Sequence, residues 1–348
     1  MKKIIPGILL LVAIGLIGRW GELTYGAYVK AHNLHWPNLE GVIIDIAIGM
    51  LFVAIFGKRK FFEEILKPGI AKYMLFLKLG IVFVGAKFLL ANLVKQGMMG
   101  IALVPLVLIS SAITFALLGK WFGLSLKSKW LLAVGQSICG VSAIAATKPA
   151  IEASEEEQTT AMGAILLSGA MSIAVFPIVG HVLHLSDKFF GVWVGLGVDN
   201  TAEVAATSGI YSQAALKVAV ATKSVRNACI GPVALGSSIY FAKKGMAKEI
   251  KGNKLIFLLK QFPLFVVGLV IISALASAHV FNDAQIKGMV LFSQWMFWLT
   301  FAGVGLSLNL RTMSKQGLKT LAVGSLGEVC GALTAYGLVY GWQYFFGL

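Results

Sequence analysis

The sequence predicts an all-α polytopic membrane protein: about 11 hydrophobic segments, inverted repeats, and two broken or re-entrant helices near the midplane. Three observations predict it. Of the 348 residues, 58% are hydrophobic and 13% charged, whereas soluble domains carry about a quarter charged residues; mean hydropathy is +0.84. The apolar runs are long and continuous rather than alternating, which excludes a β-barrel. Two of those runs are polar and glycine-broken: Gly135–Thr147 holds glycines, hydroxyls, a cysteine and a glutamine, and Gly195–Thr207 repeats its frame with Asp199 and Glu203 added, a composition with no purpose on a lipid-facing helix.

The segments fall at about 4–18, 39–57, 69–91, 98–119, 130–151, 159–185, 189–210, 213–242, 255–280, 287–309 and 318–346. A crossing needs roughly 20 apolar residues, so each is a candidate span within one transmembrane domain covering 1–348. The first follows Lys2-Lys3 like a signal peptide, yet Arg19-Trp20-Gly21-Glu22 comes next without a small-residue cleavage site. It is expected to remain as an uncleaved span. The net charge of +15 would suggest nucleic acid in a soluble protein. Here the basic residues cluster between apolar runs, the positive-inside pattern, and no nucleic-acid partner is expected. One set of loops holds Lys2, Lys3, Lys58, Arg59, Lys60, Lys67, Lys120, Lys127, Lys129, Lys243, Lys244, Lys248, Lys251, Lys254, Arg311, Lys315 and Lys319. The other holds chiefly Arg19, Lys30, Lys95 and Lys287. That places the N-terminus in the cytoplasm and the C-terminus outside a bacterial inner membrane. Cys139, Cys229 and Cys330 stand singly in apolar segments and form neither a metal spacing nor a disulfide framework.

Two internal repeats organise the chain. At an offset of 60, Gly135, Ala145, Ala146 and Thr147 recur as Gly195, Ala205, Ala206 and Thr207, with Ile138/Val198 and Ile144/Val204 conservatively matched. At an offset of 220, Val84-Gly85 and Lys95-Gln96-Gly97 recur as Val304-Gly305 and Lys315-Gln316-Gly317, and Ala102/Ala322, Leu106/Leu326 and Thr114/Thr334 continue the register. On the topology above the second pair runs in opposite directions, the mark of an inverted-repeat transporter; chance likeness between glycine-rich apolar helices is the alternative. If 130–151 and 189–210 both span, they run the same way. If both are broken or re-entrant, they can enter from opposite sides and face each other, and irregular backbone at that depth is tolerated where it lines a cavity.

Asp199 and Glu203 share one helical face at a spacing of four. Intramembrane carboxylates are costly and mark function by default. They could bind Na⁺ with Asn200 and Thr201, carry a proton, or pair with a nearby cation. Lys223 and Arg226, three apart with Asn227 adjacent, could neutralise these acids or hold an anionic solute in a two-pronged grip. Ser137, Cys139, Gly140 and Ser142 supply small polar groups and flexible backbone. A half-helix starting there would aim free N–H groups at an anion, unless the small residues serve only close packing. Glu328, within Ser-Leu-Gly-Glu-Val-Cys-Gly, is a further buried acid that stands alone. The acidic run Glu152 to Glu157 reads as a solvated turn, and His181 and His184 as interfacial.

Several of these motifs carry a family likeness. At Gly135-Gln-Ser-Ile-Cys-Gly-Val-Ser-Ala-Ile-Ala-Ala, Val198-Asp-Asn-Thr-Ala-Glu-Val, Thr222-Lys-Ser-Val-Arg-Asn and the more generic Phe301-Ala-Gly-Val-Gly-Leu-Ser, the sequence resembles the sulfate exporter family of YeiH-like bacterial inner-membrane proteins. The likeness covers nearly the whole chain. It implies a secondary transporter related to the cation/proton antiporter and anion transporter superfamily, with inverted repeats and a homodimeric assembly. There is a departure: Val198-Asp199-Asn200 stands where that family carries an Ile-His-Asp-like tripeptide, and Glu203 where it carries a glutamine. Replacing an imidazole–carboxylate pair changes proton handling and leaves coupling ion and solute open.

The expectation is therefore a secondary active transporter of a small anionic solute, sulfate- or sulfonate-like, with Ser137, Cys139, Gly140, Ser142, Asn200, Lys223, Arg226 and Asn227 on the solute. Asp199, Glu203 and Thr201 would hold the coupling H⁺ or Na⁺, with Asp199 the centre of any Na⁺ site and no other metal or cofactor. The alternatives are a cation/proton antiporter in which Lys223 or Arg226 is a structural counter-ion, a channel, or an intramembrane enzyme. No paired-histidine metal motif, serine–histidine arrangement or nucleotide loop supports the last, and the chain is not expected to be an enzyme.

Overall fold

The computed structural model describes residues 4–31, 41–87, 90–248, 264–307 and 318–347, and all regular structure among them is helical. The chain opens with α1 (Ile5–Ala31) and α2 (Gly41–Phe56). A π-helical turn (Phe62–Leu66), α3 (Lys67–Ile70), α4 (Tyr73–Val84) and a 3₁₀ turn (Gly85–Lys87) follow. Next come α5 (Leu90–Trp121), α6 (Leu126–Ser137), α7 (Val141–Ile151), α8 (Glu155–Val182), α9 (Asp187–Gly197), α10 (Thr201–Tyr211), α11 (Gln213–Ala228) and α12 (Ile230–Lys243). The described chain closes with α13 (Leu264–Ser277), α14 (Asp283–Ser307) and α15 (Leu318–Phe346).

Among the described residues, six stretches are long and apolar enough to cross a membrane: Ile5–Tyr25, Phe62–Lys87, Met98–Trp121, Glu155–Val182, Asp283–Ser307 and Leu318–Phe346. They match six of the 11 predicted segments. Gly41–Phe56 and Leu264–Ser277 are shorter apolar helices. The segments at 130–151, 189–210 and 213–242 are each interrupted, at 138–140, 198–200 and Cys229, because glycine, small polar and cap-forming residues stop the ladder there. Lys315-Gln316-Gly317, part of the match at offset 220, and the loop residues Lys2, Lys3, Lys251, Lys254 and Arg311 lie outside the described residues.

The chain divides into two compact units. One gathers α1–α4 with α13 and α14. Its helices approach through glycines: a methyl on Gly49 would lie 2.7 Å from the Gly305 backbone, and one on Gly69 the same distance from the Gly7 Cα. Small residues at such crossings let backbones touch, the usual means of helix association in lipid. Ser293 adds a hydrogen bond from its hydroxyl to the Gly80 carbonyl at 2.7 Å.

The second unit, α5–α12 with α15, carries both polar repeats. α6 and α7 form a helical hairpin rather than a span. Ser125, which caps the start of α6, donates to Glu157 Oε1 at 2.5 Å, and Lys127 Nζ donates to the Glu152 carbonyl at 2.7 Å. The start of α6 therefore lies beside the end of α7, and the acidic run closes a hairpin base instead of merely facing solvent. α9 and α10 repeat the arrangement. Ser212 Oγ donates to Asp187 Oδ1 at 2.6 Å, and the Tyr211 hydroxyl donates to the Leu185 carbonyl at 2.5 Å. Each arm has 11 or 12 residues, about 17 Å of helix, roughly half of a 30 Å hydrocarbon layer.

α8 joins the two hairpins and sets their relation. The base of the first hairpin lies at the start of α8, through Ser125 and Glu157. The base of the second lies at its end, where Tyr211 and Phe190 close over Gly180. Two apolar cores follow. One packs Leu131, Ile144 and Ile151 of the first hairpin against Phe115, Ile165, Phe241 and Val323. The other packs Phe190, Val194 and Val204 of the second against Leu103, Phe176, Ala219 and Val339. α5 meets the second core with its first half and the first core with its last turns, whereas α15 does the reverse, so the two helices run antiparallel. Ser110 Oγ meets Thr334 Oγ1 at 3.0 Å between them.

In a cysteine-free background, cysteines placed at Ser125 and Ser154 should react with a membrane-impermeant thiol reagent from one side only. Those placed at Ser186 and Ser212 should react from the other. Labelling of all four from one side would contradict the hairpin arrangement.

Candidate functional site

The tips of the two hairpins meet. The first is Ile138-Cys139-Gly140, between the end of α6 and the start of α7; the second is Val198-Asp199-Asn200, between α9 and α10. Their offset is the 60 residues of the repeat. Gly140 adopts φ +65°, a region that suits a residue without a Cβ, and a methyl there would lie 3.4 Å from Asn200 Cβ. Halfway along α8, Gly169 leaves room for the Glu203 carboxylate, which a methyl would strike. The junction thus sits near the middle of α8.

Breaking a helix leaves carbonyls without partners at its C-terminal end and a negative dipole end of about half a charge. The junction has two such ends, at α6 and α9, and α11 neutralises both. Arg226, 0% exposed, donates from Nε to Ser137 O at 2.9 Å and from Nη2 to Gln136 O at 2.5 Å, closing α6. Its Nη1 reaches Gly195 O (3.0 Å), Leu196 O (2.6 Å) and Val198 O (3.0 Å), closing α9. Lys223, also 0% exposed, donates from Nζ to Val198 O at 2.9 Å and to Asp199 O. Sequence explains the placement. Gly191 and Gly195 let α9 lie directly on Val218 and Thr222 of α11, which brings the next helical face, with Lys223 and Arg226, under the tip.

The start of α10 carries its own closure. Asn200 Oδ1 accepts the Ala202 N–H at 3.0 Å, and Glu203 Oε2 accepts the Asn200 N–H at 3.3 Å, a capping box. Thr201 Oγ1 accepts from Asn227 Nδ2 at 3.1 Å. Gly140 gives the start of α7 no side-chain cap; the Ala143 N–H and the Ser142 side chain of its first turn instead interact with Cys139, and Ser142 is exposed. Ser137 is buried and turns its hydroxyl back to Ala133 O at 2.6 Å, and Cys139 is buried at the tip. Gln136 reaches α15, donating to Gly327 O at 3.4 Å.

Asp199 differs from its neighbours: it is completely buried, and no N–H or hydroxyl donor reaches either carboxylate oxygen. Its closest acidic neighbour is Glu328 of α15, whose carboxyl interacts with it directly. Glu328 Oε1 accepts from Ser172 Oγ at 2.6 Å, while no N–H or hydroxyl donor reaches Oε2. Three buried carboxylates, Asp199, Glu203 and Glu328, thus face two buried cations that are already held by carbonyls. One negative charge is left for a bound cation or proton, because an unmatched charge at this depth is costly. A crevice of about 240 Å³ between α8, α9 and α15 ends on Glu328 and is otherwise lined mainly by apolar side chains such as Val175, Phe176 and Trp193. The partnership of Glu328 with Asp199 has no signal in local sequence, since the two come from distant helices.

A family model described as "Conserved hypothetical protein 698" matches residues 6–324, a range that takes in both hairpins, Lys223 and Arg226. Similar proteins include a "UPF0324 membrane protein" of Nitratidesulfovibrio vulgaris, 30% identical over 323 residues that cover 92% of this chain and 88% of that protein. One from Streptococcus mutans is 29% identical over 315 residues (87% and 90%), and one from Bacillus cereus 29% identical over 316 residues (88% and 86%). No solved structure matches the chain. With a family model spanning almost its whole length and relatives of matching extent, the chain belongs to the conserved hypothetical protein 698 family, the UPF0324 membrane proteins.

Proposed function

We propose that this membrane protein is a secondary active transporter that moves a small anionic solute by alternating access, coupled to H⁺ or Na⁺ at Asp199 and Glu328. The observation that carries the reading is the meeting of two half-length hairpins at a buried acid, Asp199, that no N–H or hydroxyl donor reaches and that faces a second buried acid, Glu328. Discontinuous helices whose ends converge on one point are the usual construction of transporter sites. The two hairpin-plus-span units, α6–α8 and α9–α12, are inverted repeats in this reading, as are α5 and α15; their opposed directions support it. In this reading the base of the first hairpin faces the cytoplasm of a bacterial inner membrane, which Lys120, Lys127 and Lys129 near it support.

Because Lys223 and Arg226 are committed to carbonyls, the solute is held instead at the start of α7, by its backbone N–H groups and by Ser142 beside Cys139, with Asn227 Oδ1, which has no partner, free to orient a hydroxyl. The same commitment favours a second reading, a cation/proton antiporter in which both cations are structural. Counterflow in proteoliposomes separates the two. The first reading expects saturable exchange of labelled sulfate, a sulfonate or a carboxylate, accelerated by a pH or Na⁺ gradient. Cation-for-proton exchange without anion movement would replace it with the second, and non-saturable flux would indicate a channel.

A further inference from the structure

Asp45 lies within α2, is 0% exposed, and has no hydrogen-bond partner on either carboxylate oxygen. It belongs to the unit without the hairpins and has no part in the reading above. Around it, α1 and α2 cross through two glycines. A methyl on Gly18 would strike Asp45 Oδ1 and lie 3.0 Å from the Gly41 carbonyl. A methyl on Gly41 would lie 2.8 Å from Glu22 Oε2 and 3.1 Å from the Gly18 carbonyl. Each helix thus offers a glycine and, one turn later, an acid, and each acid rests on the other helix's glycine.

Two pairs of oxygens flank the crossing where side chains are missing: Asp45 Oδ1 with the Gly41 carbonyl beside Gly18, and Glu22 Oε2 with the Gly18 carbonyl beside Gly41, the two acids being close enough to interact. Such hard oxygen donors suit a small hard cation. Arg19 holds the other oxygen of Glu22 at 3.1 Å and lies over the Trp298 ring. Two carboxylates against one guanidinium leave one negative charge unmet. Among the described residues, the other neighbours do not supply it. α14 faces the crossing with Trp298, and packs Gly305 and Leu306 on Gly49 further along α2, all uncharged. Glu63, Glu64, Lys60 and Lys67 beside the π-helical turn pair with one another at the surface. Glu22 is 28% exposed at its side chain, which gives an ion a way in.

We propose that Asp45, Glu22 and the carbonyls of Gly18 and Gly41 form a second cation site, which holds one proton or one Na⁺. The test follows thermal unfolding of the full-length protein in a background carrying Asp199→Asn and Glu328→Gln, so that the hairpin junction no longer contributes. A Na⁺ site raises the midpoint with each tenfold increase of NaCl over choline chloride; a proton site lowers it as pH rises in choline alone. Bound ligand stabilises by mass action, so either slope amounts to a few degrees per tenfold change. Asp45→Asn should abolish the slope, and Glu22→Gln should weaken apparent affinity about tenfold, as loss of one charge-assisted contact does. A slope unchanged by Asp45→Asn, or no slope in either arm, overturns the proposal. Should that background fail to fold, infrared difference spectra of the otherwise native chain, recorded on adding Na⁺ or changing pH, give the same decision. Asp45→Asn must then remove a carboxyl band, and an unchanged spectrum overturns the site.

Discussion

Arg226→Ala is expected to yield no folded protein, a larger effect than loss of transport. The guanidinium donates to five carbonyls at the ends of two half-helices. Hydrogen bonds from a charged donor contribute about 1.5–3 kcal/mol each, so the set is comparable with a typical stability of roughly 5–15 kcal/mol. Its loss also strands carbonyls where no water replaces the donor. Arg226→Lys keeps the charge but not the planar fork, and a single ammonium cannot close both helix ends; a small folded fraction is expected. Lys223→Ala removes contacts to one tip only and should leave folded protein with a midpoint lowered by roughly 5–10 °C. Elution in detergent on size exclusion provides the measurement. An Arg226→Ala protein with a wild-type profile would show that the carbonyls find other donors, and would return Arg226 to the solute.

The two breaks were legible in the sequence because their cause is local. Glycines, hydroxyls and cap-forming Asn200 interrupt apolar runs at Ile138–Gly140 and Val198–Asn200, and their offset of 60 residues matches the distance between the hairpins. Half-length arms read as full segments because an apolar run of about 20 residues has the same composition whether it crosses or turns back. The contacts that decide it, Ser125 with Glu157 and Ser212 with Asp187, join residues that look like separate helix caps. The role of Arg226 was hidden for a different reason. Sequence shows a buried cation beside buried acids, but not the backbone carbonyls that claim it. Asp45 passed unnoticed as one acid within an apolar segment, its glycine contacts being set by the crossing with α1.

Asp199→Asn is expected to abolish coupled transport, to the level of protein-free liposomes, while leaving folding intact. No N–H or hydroxyl donor reaches either Asp199 oxygen; its side-chain hydrogen bond is with the Glu328 carboxyl, which an amide of the same shape can also engage, and removing a buried charge relieves the cost of holding it. Glu328→Gln should behave alike, because the amide oxygen can still accept from Ser172. If the two acids hold one ion between them, the double variant should be no worse than either single one, the non-additivity of groups acting as a unit. Glu203 makes the decisive comparison. It lies in the first turn of α10, whereas Asp199 stands in the tip before that helix, so the two do not share the helical face that their spacing predicts; its carboxylate accepts the Asn200 N–H in the capping box, a duty that an amide oxygen also performs. Glu203→Gln should therefore retain ion-dependent transport in the proteoliposome assay. Loss of coupling in Glu203→Gln with retention in Glu328→Gln would move the ion onto the Asp199–Glu203 pair, and retention in Asp199→Asn would remove the tip of the second hairpin from coupling altogether.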